Sequence, residues 1–171
     1  ADDPLKVTMR SHDLRRAQVR RTLLPIVQKA QADLVLISPY FVPGESVTEF
    51  LGAAVKTGKR VRVLTNSLVA NDVGAVHGGY SRYRTALLEG GVELWELKPA
   101  VGSGLQHRFA QSSGASLHTK AIVIDRKTVF VGSYNLDPRS AWLNCEQGVI
   151  VESEALAQEV NAIFTRQITG Q

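Results

Sequence analysis

Three short apolar runs decide what the first half of this chain can become. DLVLI at 33–37, KRVRVLTNS at 59–67 and VELWEL at 92–97 are rich in branched aliphatic residues. Each is too short for a helix and is bounded by polar, Gly or Pro punctuation, so each predicts a strand. Stripes of helical period run before and between them. Val19, Leu23, Ile26, Val27 and Ala30 share one helical face, with Pro25 as a kink. Val47, Phe50, Leu51, Ala54 and Val55 repeat the stripe behind Ser46-x-x-Glu49, a capping-box pattern. A third helix is predicted over Tyr80–Leu88, closed by Gly90-Gly91. Strand, helix, strand, helix, strand implies right-handed crossovers and parallel pairing. The fold class expected is α/β, a mixed, largely parallel sheet sandwiched between helices.

At 171 residues, with no internal repeat and no composition break, a single domain over 1–171 is expected. The hydrophobic content of 44% and charged content of 21% place the chain with soluble globular domains and away from disordered ones. No apolar run approaches the 18 or so residues that a spanning helix needs, and ADDPLKVTM is not a signal segment. A cytoplasmic protein, or one peripheral at a membrane, is the expectation. The lone Cys145 excludes an intramolecular disulfide and a Cys-rich zinc site; beside a strand it predicts a buried, inert thiol. The net charge of +4 suits an anionic partner, a phospholipid surface or a nucleic acid, without requiring one.

The second half is organised around SLHTKAIVIDRKTVFVGSYNLD, residues 116–137. A Gly- and Ser-rich stretch at 98–116 leads into it and reads as a surface loop, a lid or a connector. Strands are predicted over 117–124 and 127–132, with Asp125-Arg126 between them. A further strand near 145–151 and a final helix bearing Leu156, Val160, Ile163 and Phe164 follow. His118 and Lys120 stand two apart on a strand and so point to one face. An imidazole beside a fixed ammonium suits a nucleophile or proton carrier acting on an anion whose charge grows in the transition state. Ser133 and Asn135, also two apart, offer neutral donors for phosphate oxygens. Glu146 could accept the second ring N–H of His118 and fix its tautomer.

His-x-Lys, four residues, Asp, six residues, Gly-Ser-x-Asn resembles the HKD signature of the phospholipase D superfamily. SPYFVPGE, SLVANDVGAVHGGYSRYR, GVELWELKP and GSYNLDPRSAWLNCE extend the resemblance over most of the chain, toward the C-terminal half of bacterial cardiolipin synthase-like members. The resemblance implies metal-independent phosphodiester chemistry with no cofactor. One HKD histidine attacks phosphorus to form a phosphohistidine, and the histidine of a second motif handles the proton of the leaving and incoming alcohols. Lys120 and Asn135 would bind the non-bridging oxygens, with Ser133 nearby, and Glu146 would orient His118. Asp125 completes the motif; strand alternation puts it on the face opposite Lys120, so it is read as supporting the turn.

The chain has no second His-x-Lys. The partner is therefore a second HKD half-domain, either in a longer parent chain or in a second copy about a two-fold axis. ADDPLKV resembles the stretch that follows the first motif in longer members, which favours the parent chain. Three more residues are expected to touch substrate: Tyr40, His77 and Tyr80. Tyr40, with Phe41, would line a channel at a strand end or belong to the core there. His77 would wall the phosphate pocket or hydrogen-bond the backbone of a loop. Arg15, Arg16, Arg20 and Arg21 would dock on anionic lipid heads or form a solvated helix face. The expected partners are thus a phospholipid substrate and the membrane surface. Nucleic acid is the partner only if the chain is a dimeric nuclease of the same superfamily, and a non-catalytic half-domain is the third possibility.

Overall fold

The computed structural model describes residues 18–70, 74–98 and 117–169. In chain order these form α1 (Gln18–Gln28), β1 (Asp33–Ile37), α2 (Gly44–Lys56), β2 (Arg60–Asn66), α3 (Gly74–Glu89) and β3 (Glu93–Leu97). They continue as β4 (Ala121–Ile124), β5 (Thr128–Gly132), α4 (Pro138–Trp142), β6 (Gly148–Glu152) and α5 (Glu154–Thr169). The segments 1–17 and 99–116, with Arg15, Arg16 and the expected lid, lie outside the described residues.

The six strands form one sheet in the order β3-β2-β1-β4-β5-β6. β1, β2 and β3 pair in parallel, as the alternating strands and helices imply. The β1–β4, β4–β5 and β5–β6 pairings are antiparallel. The sheet is mixed as expected, and its parallel strand pairs are β1–β2 and β2–β3. The second half turns back through a tight connection, with left-handed backbone at Asp125 (φ 51°) and Arg126 (φ 56°). Asp is among the few residues that adopt this conformation readily.

β1 is buried along its whole length because both faces of the sheet are covered. On one face Leu34, Leu36, Val61, Val63, Ile122 and Phe130 pack under α1, α2 and α3. On the other Val35, Ile37, Leu64, Val123 and Val129 meet Ala157, Val160 and Phe164 of α5. Burying these two sets contributes roughly 1.5–3 kcal/mol per large aliphatic or Phe side chain.

Two local expectations are corrected. Ser46 and Glu49 form no capping box, because α2 begins at Gly44 with Pro43 at its N-cap and no side-chain cap. A Pro fixed at helical φ starts the helix earlier than the Ser does. Cys145 is exposed, because it precedes β6 in an irregular stretch instead of lying within the strand.

Candidate active site

Strand direction gathers the chemistry at one edge of the sheet. β1, β2, β3 and β5 all end there, while β4 and β6 begin there. His118 and Lys120 precede β4, Ser133 and Asn135 follow β5, and Glu146 precedes β6. The C-terminal edge of parallel strands is where open α/β sheets hold ligands. His118, Thr119, Lys120, Gly132, Ser133 and Gln147 line an open groove at this edge.

The His118 ring is exposed and has no hydrogen-bond partner among the described residues. Lys120 is half-buried, and its ammonium donates to the carbonyl of His118 at 2.8 Å. That bond folds the Lys120 side chain back toward the histidine, and the N–H of Gly132 holds the Lys120 carbonyl at 3.2 Å. Asn135 is buried; Ser140 Oγ accepts its N–H at 3.2 Å, and its side-chain Oδ1 has no partner among the described residues. A buried amide oxygen left unpaired is costly, and such groups concentrate at functional sites.

Glu146 is buried at 5% exposure. Its carboxylate accepts a short hydrogen bond from Ser133 Oγ and one from Asn144 Nδ2 at 3.1 Å. Ser133 Oγ also accepts the N–H of Gln147 at 3.0 Å. Glu146 thus positions Ser133, and no bond joins it to His118. Gly132 faces Gly148 across β5 and β6, and a Cβ on either would collide with the Phe130 ring or the Gln147 carbonyl. The Gly of Gly-Ser-x-Asn is therefore required by this close approach.

Asp125 stands at the far end of β4, about 17 Å of extended chain from Lys120. Its carboxylate accepts the backbone N–H groups of Gln31, Ala32 and Asp33 at 2.8–3.0 Å. Burial pushes its pKa up, but these N–H groups and Lys59 outweigh it and hold it below the ordinary carboxylate value. Asp125 lies in the turn just past β4, and these bonds tie that turn to the entry to β1.

Of the three expected substrate contacts, one is corrected. Tyr80 is 2% exposed, packs on Phe41 at 5.9 Å and donates its hydroxyl to Glu96 at 3.0 Å. Burial and the Glu96 carboxylate raise its pKa well above the ordinary value, so the donor is permanent. Such a residue holds α3 on β3 and does not reach substrate. Phe41 is core, at 1% exposure. Tyr40 is half-buried just beyond β1, at the site edge. His77 lies on α3, not in a loop; it meets Tyr80 edge-on at 5.7 Å, and its Nδ1 is buried without a partner among the described residues.

The sequence matches the family described as "Cardiolipin synthase, PLD-like domain" over residues 23–168. The chain belongs to this PLD-like domain family. It is 45% identical over 167 residues to cardiolipin synthase C of Escherichia coli K12, covering 96% of this chain and 35% of that protein. The chain thus spans about a third of the length of that relative. Two solved structures share the fold. One is a phospholipase D family member, Nuc from Salmonella typhimurium (TM-score 0.67, 19% identity, 86% of this chain and 85% of that one). The other is a phosphatidylserine synthase from Haemophilus influenzae (TM-score 0.64, 18% identity, 88% of this chain and 36% of that one).

Several further residues of this PLD-like domain shape the site through hydrogen bonds across it. Ser38 Oγ accepts the N–H of Leu136 at 3.0 Å and donates to the Tyr40 carbonyl at 2.7 Å, tying the loop after β5 to the end of β1. Asp137 caps α4, accepting from the N–H groups of Arg139 and Ser140. Asp137-Pro138 was the readable signal for that helix, an N-cap residue followed by Pro at N1. Asn66 at the end of β2 grips Leu117, the residue before His118.

Proposed function

We propose that this chain supplies one half of a two-histidine site for phosphatidyl transfer on phospholipid. The observation that carries the reading is the placement of His118, Lys120, Ser133 and Asn135 on one sheet edge, with the imidazole uncommitted. In the first step an imidazole nitrogen bonds to phosphorus as the bond from phosphorus to the leaving alcohol breaks. The second histidine, protonated, gives its proton to the departing alkoxide. In the second step that histidine takes the proton of the incoming alcohol, whose oxygen bonds to phosphorus while the N–P bond breaks. Both histidines return to their starting states. Lys120 and Asn135 hold the non-bridging oxygens, where negative charge builds. Ser133 is held beside them by Glu146, and Asp125 anchors the far end of the strand.

The second histidine comes from another PLD-like domain, in a longer chain or in a second copy. The test is turnover of phosphatidylglycerol vesicles, read as glycerol released and cardiolipin formed. It is run beside a DNA substrate, with the solution mass recorded by light scattering. Transfer by the paired form, weak or absent in the monomer, is expected. Robust turnover by a monomer would refute the half-site, and DNA cleavage without lipid turnover would move the substrate class to nucleic acid.

A further inference from the structure

We infer that Asn66 is a positioning residue for His118. The sheet has a gap beside these two residues. β1 lies between β2 and β4, but its ladder stops at Ile37, paired to Leu64 on one side and Ala121 on the other. The chain then bends at Pro39, which has no N–H to offer. Two residues past Leu64, β2 therefore reaches Asn66 beyond the end of the β1 ladder, and residues 117–119 lie ahead of β4 and outside that ladder as well.

The Asn66 side chain spans this gap. Its Oδ1 accepts the N–H of Leu117 at 2.9 Å, and its Nδ2 donates to the carbonyl of the same residue at 3.3 Å. A side-chain amide engaging both main-chain groups of one residue reproduces the pairing a neighbouring strand would give. Asn66 and Leu117 are each 2% exposed, so neither bond is exchanged for water. The grip fixes the peptide from which the exposed His118 ring projects. The carboxamide is specific: Asp would set a negative oxygen against the Leu117 carbonyl, and Ala would leave both main-chain groups buried and unpaired.

The role in turnover rests on the phosphatidyl-transfer reading; the role in holding Leu117 does not. The test therefore has two arms, on Asn66→Ala and Asn66→Asp. In the first arm, backbone amide exchange is measured by NMR on the chain itself. Protection of the Leu117 N–H should fall at least about tenfold in Asn66→Ala, and less in Asn66→Asp, which keeps an acceptor. Protection at Val35, Leu36 and Val63 should stay near the wild-type values. Unchanged protection at Leu117, or a uniform loss across β1 and β2 in both variants, would overturn the inference. In the second arm, on the paired form that turns over, kcat should fall roughly 10–100-fold in Asn66→Ala with little change in KM. A rise in KM with kcat intact would overturn positioning. If the wild type shows no lipid turnover, the functional reading fails and the exchange arm alone decides whether Asn66 holds Leu117.

Discussion

The two ends of β4 carry parts of one sequence motif and are built in opposite ways. At the Asp125 end the carboxylate collects three backbone N–H groups, and the neighbouring Asp33 is paired with Arg62 at 2.8 Å and Arg126 at 3.5 Å. Arg62 in turn reaches Asn161 of α5 and stacks on Phe164, so this end fastens the helix as well. At the other end the His118 ring is exposed and unbonded among the described residues, and Asn135 keeps a buried oxygen unpaired. A polar group whose valences are filled within the chain stabilises the fold. One left with capacity is available to a ligand. The roles proposed for His118, Asn135 and Asp125 follow that difference.

The sharpest way to break the comparison is to truncate both ends. His118→Ala should abolish phosphatidyl transfer, by at least about 10³-fold, since a nucleophile or proton carrier is lost. Its stability should stay within about 0.5 kcal/mol, because an exposed ring without partners is removed. Asp125→Asn should do the reverse. It replaces charge-assisted acceptance with a neutral amide at a cost of roughly 2 kcal/mol. That is a drop of about 4–8 °C in thermal midpoint for a chain of this size, with turnover at 25 °C close to wild type. Calorimetry and the lipid assay on both variants decide the matter. Loss of turnover without loss of stability in Asp125→Asn would erase the distinction.

Acid should expose the same asymmetry. The Asp125 pKa is lowered in the folded state, so the native chain binds its proton less readily than the unfolded chain does. The stability it contributes is then complete above the ordinary carboxylate value near 4 and is lost as pH falls toward the folded value. Thermal midpoints of wild type and Asp125→Asn should differ by a constant amount from pH 7 to 5, and the gap should narrow as pH falls below about 4. A gap that does not narrow at all as pH falls from 5 to 3 would mean the charge of Asp125 is not what holds β1.

How much of this was legible in the sequence depends on the range of the interaction. DLVLI, KRVRVLTNS and VELWEL became β1, β2 and β3 in parallel, since a short apolar run states its own burial. His118 and Lys120 were expected on a strand over 117–124, but β4 begins only at Ala121, so both precede it. What failed was local competition or distant pairing. Ser46 lost the start of α2 to Pro43, and α3 begins at Gly74, six residues before the apolar signal at Tyr80. Tyr80 could not be placed in the core without knowing that Glu96 waits for its hydroxyl. Asn66 was invisible because its partner lies 51 residues away.

The smallest effect distinguishes a cap that exists from one only spelled in the sequence. Asp137→Ala should cost about 1 kcal/mol, since two N–H groups of α4 lose their acceptor. Ser46→Ala should fall within about 0.5 kcal/mol of wild type, with Ala the better helix former. Asp137 also sits at the open end, two residues from Asn135. Its second partner is the N–H of Ser140, whose hydroxyl accepts the N–H of Asn135. Loosening α4 should therefore lower turnover together with stability, whereas Asp125→Asn lowers stability alone. If the two aspartates behaved alike in the lipid assay, the ends of β4 would be coupled through the strand, and the division between a fastening end and a reacting end would not hold.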